Sequence, residues 1–267
     1  MMKQPLKGSR KVEQVSKRRL FVEVGGLQKQ GKTHFLFSAP GPIAYFDFNN
    51  RSDYVADKFC DEKEIHMYEY GRTKGMEMSV WRAVWDEFVT DFKAAVAHPE
   101  IRTIGIDTDT DLWEIRRIAQ FGRASSVPTA YSALNKDLRD LFNMVRHTDK
   151  NLVVLTEMKK KYVTRIVRTP KGEHEQASWD GTYEMVGWSG TPYKVDMVCS
   201  TSYDVAEKEF VLNIINSGIQ PGLAGEEYSG IDCSFPIVAM DVFPDTTLEY
   251  WDYESNPYIE IKGADRE

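Results

Sequence analysis

The chain has 267 residues, of which 42% are hydrophobic, 12% are aromatic and 28% are charged, and its formal net charge is −7. This composition excludes an intrinsically disordered chain, and the absence of any run of about 18 apolar residues predicts that no segment spans a membrane. The N-terminus lacks the apolar stretch of a secretory signal, and the three cysteines are scattered and odd in number. Both features predict a cytoplasmic protein without a disulfide framework.

Charge is unevenly distributed along the chain. Residues 1–18 are rich in lysine and arginine and are predicted to form a basic N-terminal arm. Residues 229–267 are predicted to form a loosely packed, acidic C-terminal tail. The segment between them, residues 19–228, carries the hydrophobic patterns of a folded domain. A basic arm can contact phosphates, although ordinary solvated surface explains the charge at both ends as well.

Residues 19–158 alternate short apolar runs with stretches of helical periodicity. The predicted strands are 20–24, 43–48, 65–70, 103–106 and 152–155, and the predicted helices are 32–38, 78–97, 112–121 and 131–145. Strands that are apolar at every position and separated by helices are typical of a sheet covered on both faces. The pattern predicts an α/β fold with a mostly parallel sheet and helices on both faces.

The chain changes character after this region. Residues 159–194 begin with basic side chains, continue with glycine, tryptophan and tyrosine, and are predicted to form a hairpin that projects from the sheet. Residues 195–200 and 210–215 are predicted to be paired strands joined by a polar turn. We expect these late antiparallel strands to extend the sheet at its edge.

The strongest motif is Gly26-Leu27-Gln28-Lys29-Gln30-Gly31-Lys32-Thr33, which matches the phosphate-binding pattern G-x-x-x-x-G-K-[ST] at every fixed position. It follows an apolar strand and precedes a helix, which is the context that this motif requires. The glycines let backbone N–H groups point at phosphate oxygens, and the helix N-terminus attracts the same anion. Lys32 is predicted to reach the β- and γ-phosphates, and the predicted nucleotide-binding segment continues through His34.

Carboxylates near the end of the strand 103–106 are candidates for a magnesium site. Asp107 ends this strand and is predicted to bind Mg²⁺ together with the hydroxyl of Thr33. Ligands of α/β proteins bind at this edge of the sheet, where the strands end. Helix capping explains Asp111, whereas Asp109 stays open as a second group near the metal.

Two polar positions are candidates for activating a water molecule. Asn49 follows the second strand, where the γ-phosphate is expected, but an asparagine can only hydrogen-bond to water and cannot take its proton. Glu157 follows the strand 152–155 and is the candidate base, with Thr156 beside it as a candidate γ-phosphate sensor. The predicted catalytic residues are therefore Lys32, Asn49 and Glu157.

These features together resemble the RecA-like P-loop ATPases of bacteriophages, which include single-strand annealing and recombination ATPases. The resemblance covers residues 20–228 and rests on the phosphate loop, on Asp107 and on the strands 43–48, 152–156, 195–200 and 210–217. It implies a RecA-like core, ATP and Mg²⁺ as cofactors, and hydrolysis between subunits of a ring or filament. It also implies single-stranded DNA held by two loops, at 122–130 and 159–188, in the cytoplasm of an infected bacterium, with a single-strand binding or replication protein as a partner.

The chain departs from this family pattern at two places. Family members usually carry a glutamate where this chain has Asn49. Many also carry a Lys-x-Arg finger where this chain has Asn216-Ser217-Gly218. Both departures predict slow hydrolysis, or the use of ATP as a conformational ligand.

Basic and aromatic side chains after residue 158 fit nucleic-acid binding on independent grounds. The candidate phosphate contacts are Lys159, Lys160, Lys161, Arg165 and Arg168, and the candidate stacking surfaces are Tyr162, Trp179, Tyr183 and Trp188. The pattern is equally that of an exposed basic hairpin with aromatic side chains packed beneath it.

Three functions therefore stay open from the sequence. The first is a RecA-like ATPase acting on single-stranded DNA in phage recombination, repair or replication. The second is a non-hydrolysing nucleotide-binding assembly module, which Asn49 favours. The third is a P-loop nucleotide kinase, for which Arg116, Arg117 and Arg123 are candidate lid arginines. The five histidines show no metal-ligand spacing, which argues against a zinc site.

Overall fold

A computed structural model of the chain describes residues 17–71, 77–122, 131–169, 172–255 and 257, and only the backbone of residues 167–169 and 172–174. The helices are α1 (Lys32–Phe37), α2 (Asp53–Ala56), α3 (Met78–Ala97), α4 (Asp109–Phe121), α5 (Ser132–Arg146) and α6 (Phe235–Val242). The strands are β1 (Phe21–Gly26), β2 (Ile43–Asp47), β3 (Ile65–Glu69), β4 (Thr103–Asp107), β5 (Asn151–Thr169), β6 (Gly172–Val186), β7 (Met197–Asp204), β8 (Glu209–Ser217) and β9 (Glu227–Ser229). Among these residues, no helix is long and apolar enough to cross a membrane.

The strands form one sheet in the order β3-β2-β4-β5-β1-β7-β8-β9, and β6 pairs with β5. The pairings from β3 to β7 are parallel, whereas β8, β9 and β6 are antiparallel to their neighbours. Strand β5 lies between β1 and β4, so the strand ends that carry the phosphate loop, Asp107 and Glu157 meet at one edge of the sheet. The predicted α/β fold, with a mostly parallel sheet, helices on both faces and late antiparallel edge strands, is confirmed.

Two hydrophobic clusters cover the two faces of the sheet. Helices α3, α4 and α5 pack on one face, and α1 and α6 pack on the other. Neighbouring residues of β2 belong to opposite clusters, because Phe46 contacts Phe88 of α3 while Tyr45 contacts Phe37 of α1. Both faces of the strand are therefore buried, which is why apolar residues follow one another along it without alternation. Each fully buried phenylalanine stabilises the fold by about 1.5–3 kcal/mol.

The segment after residue 229 is more ordered than predicted. Phe235 and Trp251 are fully buried, and their rings lie edge to face at 5.9 Å. The Tyr250 hydroxyl also contacts the backbone of Arg18, which ties this segment to the start of the domain. The prediction of loose packing is therefore wrong for residues 235–251. The acidic composition of the whole segment gave no indication of the apolar, buried helix α6. The division into arm, domain and tail stays a prediction, and residues 1–16 lie outside the described residues.

Candidate nucleotide-binding site

The predicted phosphate loop connects β1 to α1 and uses its glycines for close approaches. A Cβ atom at Gly26 would lie 2.4 Å from the Thr201 hydroxyl oxygen, which no real side chain tolerates. Gly31 precedes α1 with φ of 86°, in the left-handed region that favours glycine, and a Cβ there would meet the Phe210 ring at 2.8 Å. The loop backbone thus follows a path that only these glycines allow.

Lys32 lies at the mouth of this loop. Its ammonium group donates to the carbonyl oxygens of Gly26 at 2.9 Å and Leu27 at 2.8 Å. Partial burial lowers the pKa of Lys32, while the negative charges of Asp107 and Glu157 act in the opposite direction. The ammonium is therefore a half-buried cation close to two carboxylates, which is a suitable setting for a phosphate group.

Asp107 and Thr33 meet where β4 ends and α1 begins. The Thr33 hydroxyl donates to Asp107 Oδ2 at 3.2 Å, and the Tyr45 hydroxyl donates to the same oxygen at 2.7 Å. Burial raises the pKa of Asp107 to about 6, an effect opposed by the Tyr45 hydrogen bond and strengthened by the charge of Asp47. Hydroxyl and carboxylate oxygens are the ligands that Mg²⁺ prefers, so Thr33 and Asp107 fit this ion.

Asn49 is held from two sides. Its backbone N–H donates to the buried Asp47 carboxylate at 2.7 Å, as the N–H of Asn50 does at 2.8 Å. Its side-chain nitrogen donates to Oδ2 of Asp111 in the first turn of α4. The start of this helix is capped by Thr108, whose hydroxyl accepts the N–H of Asp111. Thr108 is therefore the capping residue, while Asp111, predicted to cap, lies in the first turn as an acidic side chain.

The two polar residues that end the sheet portion of β5 face in different directions. Thr156 is buried and donates to Glu23 Oε1 at 2.9 Å, so its hydroxyl is turned into the protein rather than towards a phosphate. Glu157 is half-buried and lies close enough to Lys32 to affect its pKa. The predicted sensing function of Thr156 is therefore not supported by its contacts, whereas Glu157 lies at the phosphate loop.

One cavity of about 520 Å³ brings most of the predicted residues together. It is lined by Gly26, Leu27, Gln28, Lys29, Lys32, Thr33, Asn49, Arg51, Ser52, Val55, Asp107, Thr108, Glu157 and Met158. A second cavity of about 290 Å³ adjoins it and contains Gln30, Gly31, His34 and Phe210. Together they are lined by residues 26–34, Asn49, Asp107 and Glu157, but not by Asp109 or Thr156.

Sequence reasoning missed three side chains at this site. Tyr45 donates to Asp107, Arg51 lines the larger cavity, and Phe210 lies against His34 with ring centroids 5.3 Å apart. The position of Arg51, two residues after the candidate Asn49, could have indicated that it lies at the site. Nothing in the sequence indicated Phe210, because it is far from the loop in sequence and only the pairing of β8 with β7 brings it near.

Strands β5 and β6 continue beyond the sheet as a two-stranded arm, residues 158–169 and 172–186. Directly opposite residues are Lys160 with Tyr183 and Tyr162 with Trp179, which places these four side chains on one face of the arm. The three aromatic side chains are 40–60% exposed, and the Lys160 ammonium lies 4.9 Å from the centre of the Trp179 ring. This aromatic face carries one lysine.

The other candidate nucleic-acid contacts have different settings. Lys159 lies 3.5 Å from Glu184 and Lys161 lies 3.9 Å from Asp180, so both lysines have acidic partners on β6. Arg165 is exposed, while the Arg168 side chain and residues 123–130 of the first candidate loop lie outside the described residues. Trp188 is buried, packs against Phe142 and donates to Asn135, so its prediction as a stacking surface is wrong.

The root of the arm is fastened to α4. Thr110 accepts the Glu157 N–H at 3.2 Å and donates to the carbonyl oxygen of Val186. Asp109 accepts the Trp188 N–H at 2.9 Å and the Thr191 hydroxyl at 2.8 Å. Burial raises the pKa of Asp109 to about 7 against these two hydrogen bonds. Asp109 therefore serves the arm root, and its predicted place beside the metal ligands is not supported by its contacts.

Among solved structures, the chain is similar to one described as "Crystal structure of the RadB recombinase", with a TM-score of 0.45 and 11% identity over 79% of this chain and 86% of that chain. No curated protein matches the chain significantly. The family AAA_24, described as AAA domain, matches residues 21–223, which include the phosphate loop, Asp107 and the arm. Because this match spans more than half of its length, the chain belongs to the AAA_24 family of AAA domains.

Proposed function

We propose that this chain is an ATP-binding, RecA-like ATPase of the phage type that acts on single-stranded DNA in recombination, repair or replication. One observation carries the proposal: Lys32, Thr33, Asp107 and Glu157 line a single cavity at the carboxyl ends of β1 and β4, where β5 continues beyond them as the arm. A phosphate loop, a strand-end aspartate and a nearby carboxylate are the parts that nucleotide hydrolysis requires.

Different residues of the cavity bind different parts of the nucleotide. Backbone N–H groups of residues 26–33 and the start of α1 bind the phosphates, and Lys32 binds the β- and γ-phosphates. Thr33 and Asp107 would hold Mg²⁺, which would neutralise phosphate charge. The adjoining cavity, with His34 and Phe210, provides ring surfaces for the base of the nucleotide.

Hydrolysis requires a water molecule placed in line with the γ-phosphate. The water oxygen bonds to the γ-phosphorus while the bond to the β,γ-bridging oxygen breaks, and ADP leaves with the electron pair. Glu157 takes the proton of the water and returns it to the released phosphate. Asn49 accepts a hydrogen bond from the same water and so orients it, which compensates only in part for a glutamate at this position.

The arm is the proposed site for single-stranded DNA. Its exposed face combines Tyr162, Trp179 and Tyr183 with Lys160, and unstacked bases bind to aromatic rings of this kind by about 1–3 kcal/mol each. Arg165 is exposed on the same strand and can contact phosphates, whereas Lys159 and Lys161 must exchange their acidic partners on β6 to do so. Self-association into a ring or filament, in which many arms meet one strand, would multiply these weak contacts.

A non-hydrolysing nucleotide-binding module is the second candidate, and Asn49 favours it because an amide cannot act as a base. A nucleotide kinase fits less well. Arg116, one of the arginines considered for a lid, is bound to Asp137 at 2.7 Å and lies over the Trp85 ring at 5.2 Å. Such contacts identify Arg116 as a packing residue of α4.

The test is ATP hydrolysis in Mg²⁺, measured with and without single-stranded DNA on the wild type and on Lys32→Ala. The proposal predicts hydrolysis that rises with DNA and disappears in the variant. Tight ATP binding without hydrolysis would favour the nucleotide-binding module. Phosphate transfer to a nucleoside monophosphate would identify a kinase.

A further inference from the structure

The side chain of Asn49 has its orientation fixed by a partner outside the cavity. Asn49 lines the cavity together with Lys32, Thr33, Asp107 and Glu157, but its side-chain nitrogen donates to Oδ2 of Asp111. The Asp111 oxygen accepts this hydrogen bond, so the amide presents its nitrogen to Asp111. The amide oxygen is then the group that Asn49 offers to a ligand.

Asp111 is itself held in place. It is buried in the first turn of α4, and its Oδ2 also accepts the Thr108 hydroxyl at 2.8 Å. Thr108 in turn accepts the backbone N–H of Asp111 at 3.2 Å, so side chain and backbone are fixed together. The Asp47 carboxylate at the end of β2 fixes the backbone of Asn49 by accepting its N–H. Both members of the pair therefore start from defined positions.

We infer that Asp111 is a positioning residue for hydrolysis, which holds Asn49 as a hydrogen-bond acceptor for the attacking water. This inference rests on the proposed ATPase function. Asp111 does not line the cavity and acts through Asn49.

A double-mutant cycle tests this relationship, with Asn49→Ala, Asp111→Ala and the double variant. We expect each single variant to lower kcat about tenfold or more, while the Kd of Mg·ATP changes less than about threefold. The double variant should be no slower than Asn49→Ala, because the inference has Asp111 act on the water through Asn49. Independent losses that add in the double variant, or an Asn49→Ala variant with wild-type kcat, would overturn the inference.

An exchange of the two side chains provides a second test that preserves their size and the fold. Asn49→Asp alone removes the amide that donates to Asp111 and places two carboxylates together, so it should lower kcat about tenfold or more. A kcat above that of the wild type would show that a carboxylate at position 49 acts as the base, and would contradict the inference. Asn49→Asp combined with Asp111→Asn reverses donor and acceptor, and should restore kcat to at least a third of the wild-type value. A double variant as slow as Asn49→Asp would contradict the inference. A wild type that binds but does not hydrolyse Mg·ATP would instead refute the proposed ATPase function, and the inference with it.

Discussion

The Thr33 hydroxyl donates a hydrogen bond to the Asp107 carboxylate over 3.2 Å, and so joins the first turn of α1 to the end of β4. The two residues are 74 positions apart in sequence, and only the placement of β5 between β1 and β4 brings them together. This pair is where we expect Mg²⁺ to bind.

Replacement of the Thr33 hydroxyl should therefore weaken magnesium binding. We expect Thr33→Ala to raise the Mg²⁺ concentration needed for half-maximal ATP binding by about tenfold, since one oxygen ligand is lost. Thr33→Ser keeps the hydroxyl and is the matched control, which should stay near the wild type. ATP binding measured across a Mg²⁺ titration gives the answer, and equal midpoints for all three proteins would place the metal elsewhere.

Glu23 predicts a pH dependence of stability. It is buried on β1, accepts a hydrogen bond from Thr156, and its second oxygen has no hydrogen-bond partner among the described residues. Burial raises its pKa to about 7, with a further contribution from the charge of Asp109, against the ordinary value of 4.5. The folded state therefore favours the protonated form, and this contribution to stability is full below pH 4.5 and is lost as the pH rises through 7.

We expect the free energy of unfolding to fall between pH 4.5 and pH 7, with Glu23 contributing up to about 3 kcal/mol of that change at about 1.4 kcal/mol per pKa unit. Glu23→Gln should flatten the decline, because the glutamine side chain does not titrate in this pH range. Glu227 is exposed on β9, and Glu227→Gln is the control that should reproduce the wild-type curve. Urea unfolding at several pH values measures the difference, and parallel curves for all three proteins would contradict the assignment.

Close packing around Gly187 at the arm root predicts that a larger side chain there destabilises the protein. A Cβ atom at this position would lie 2.5 Å from Asp109 Oδ2, the oxygen that holds Trp188 and Thr191. Gly187→Ala should lower the free energy of unfolding by about 1–3 kcal/mol, since a backbone or buried carboxylate must move. Gly222 has no atom within 4 Å of its own Cβ position, so Gly222→Ala is the control. Equal free energies of unfolding for Gly187→Ala and Gly222→Ala would show that the arm root accommodates an added methyl group.

The lysines of the arm should differ in their contribution to DNA binding. Lys160 lies on the aromatic face, whereas Lys159 already has Glu184 as an acidic partner at 3.5 Å. We expect Lys160→Ala to lower the slope of log affinity against log salt for single-stranded DNA by about 0.7, the value for one phosphate contact. Lys159→Ala should lower it less. The reverse order would place the phosphates on the opposite face of the arm.

Local signals in the sequence predicted most of the fold, and long-range pairing accounts for what was missed. The phosphate loop, Asp107 and the buried strands were recognisable because each depends on neighbouring residues. Trp188 was misassigned because its burial against Phe142 of α5 depends on the turn after β6. Helix α6 was missed because its apolar side chains are surrounded by acidic residues. The contact of Asn49 with Asp111 could not be predicted, since it depends on how α4 leaves the sheet beside the end of β2.

The measurement that tests the central claim most directly is the Kd of Mg·ATP for the wild type, for Lys32→Ala and for the control Lys58→Ala, determined by calorimetry. Lys32 lies in the phosphate loop between two carboxylates, whereas Lys58 is exposed on the surface. We predict that Lys32→Ala raises Kd at least about tenfold, the loss of one charge-assisted contact, while Lys58→Ala leaves it within about twofold. An unchanged Kd for Lys32→Ala would contradict the assignment of the cavity as a nucleotide-binding site.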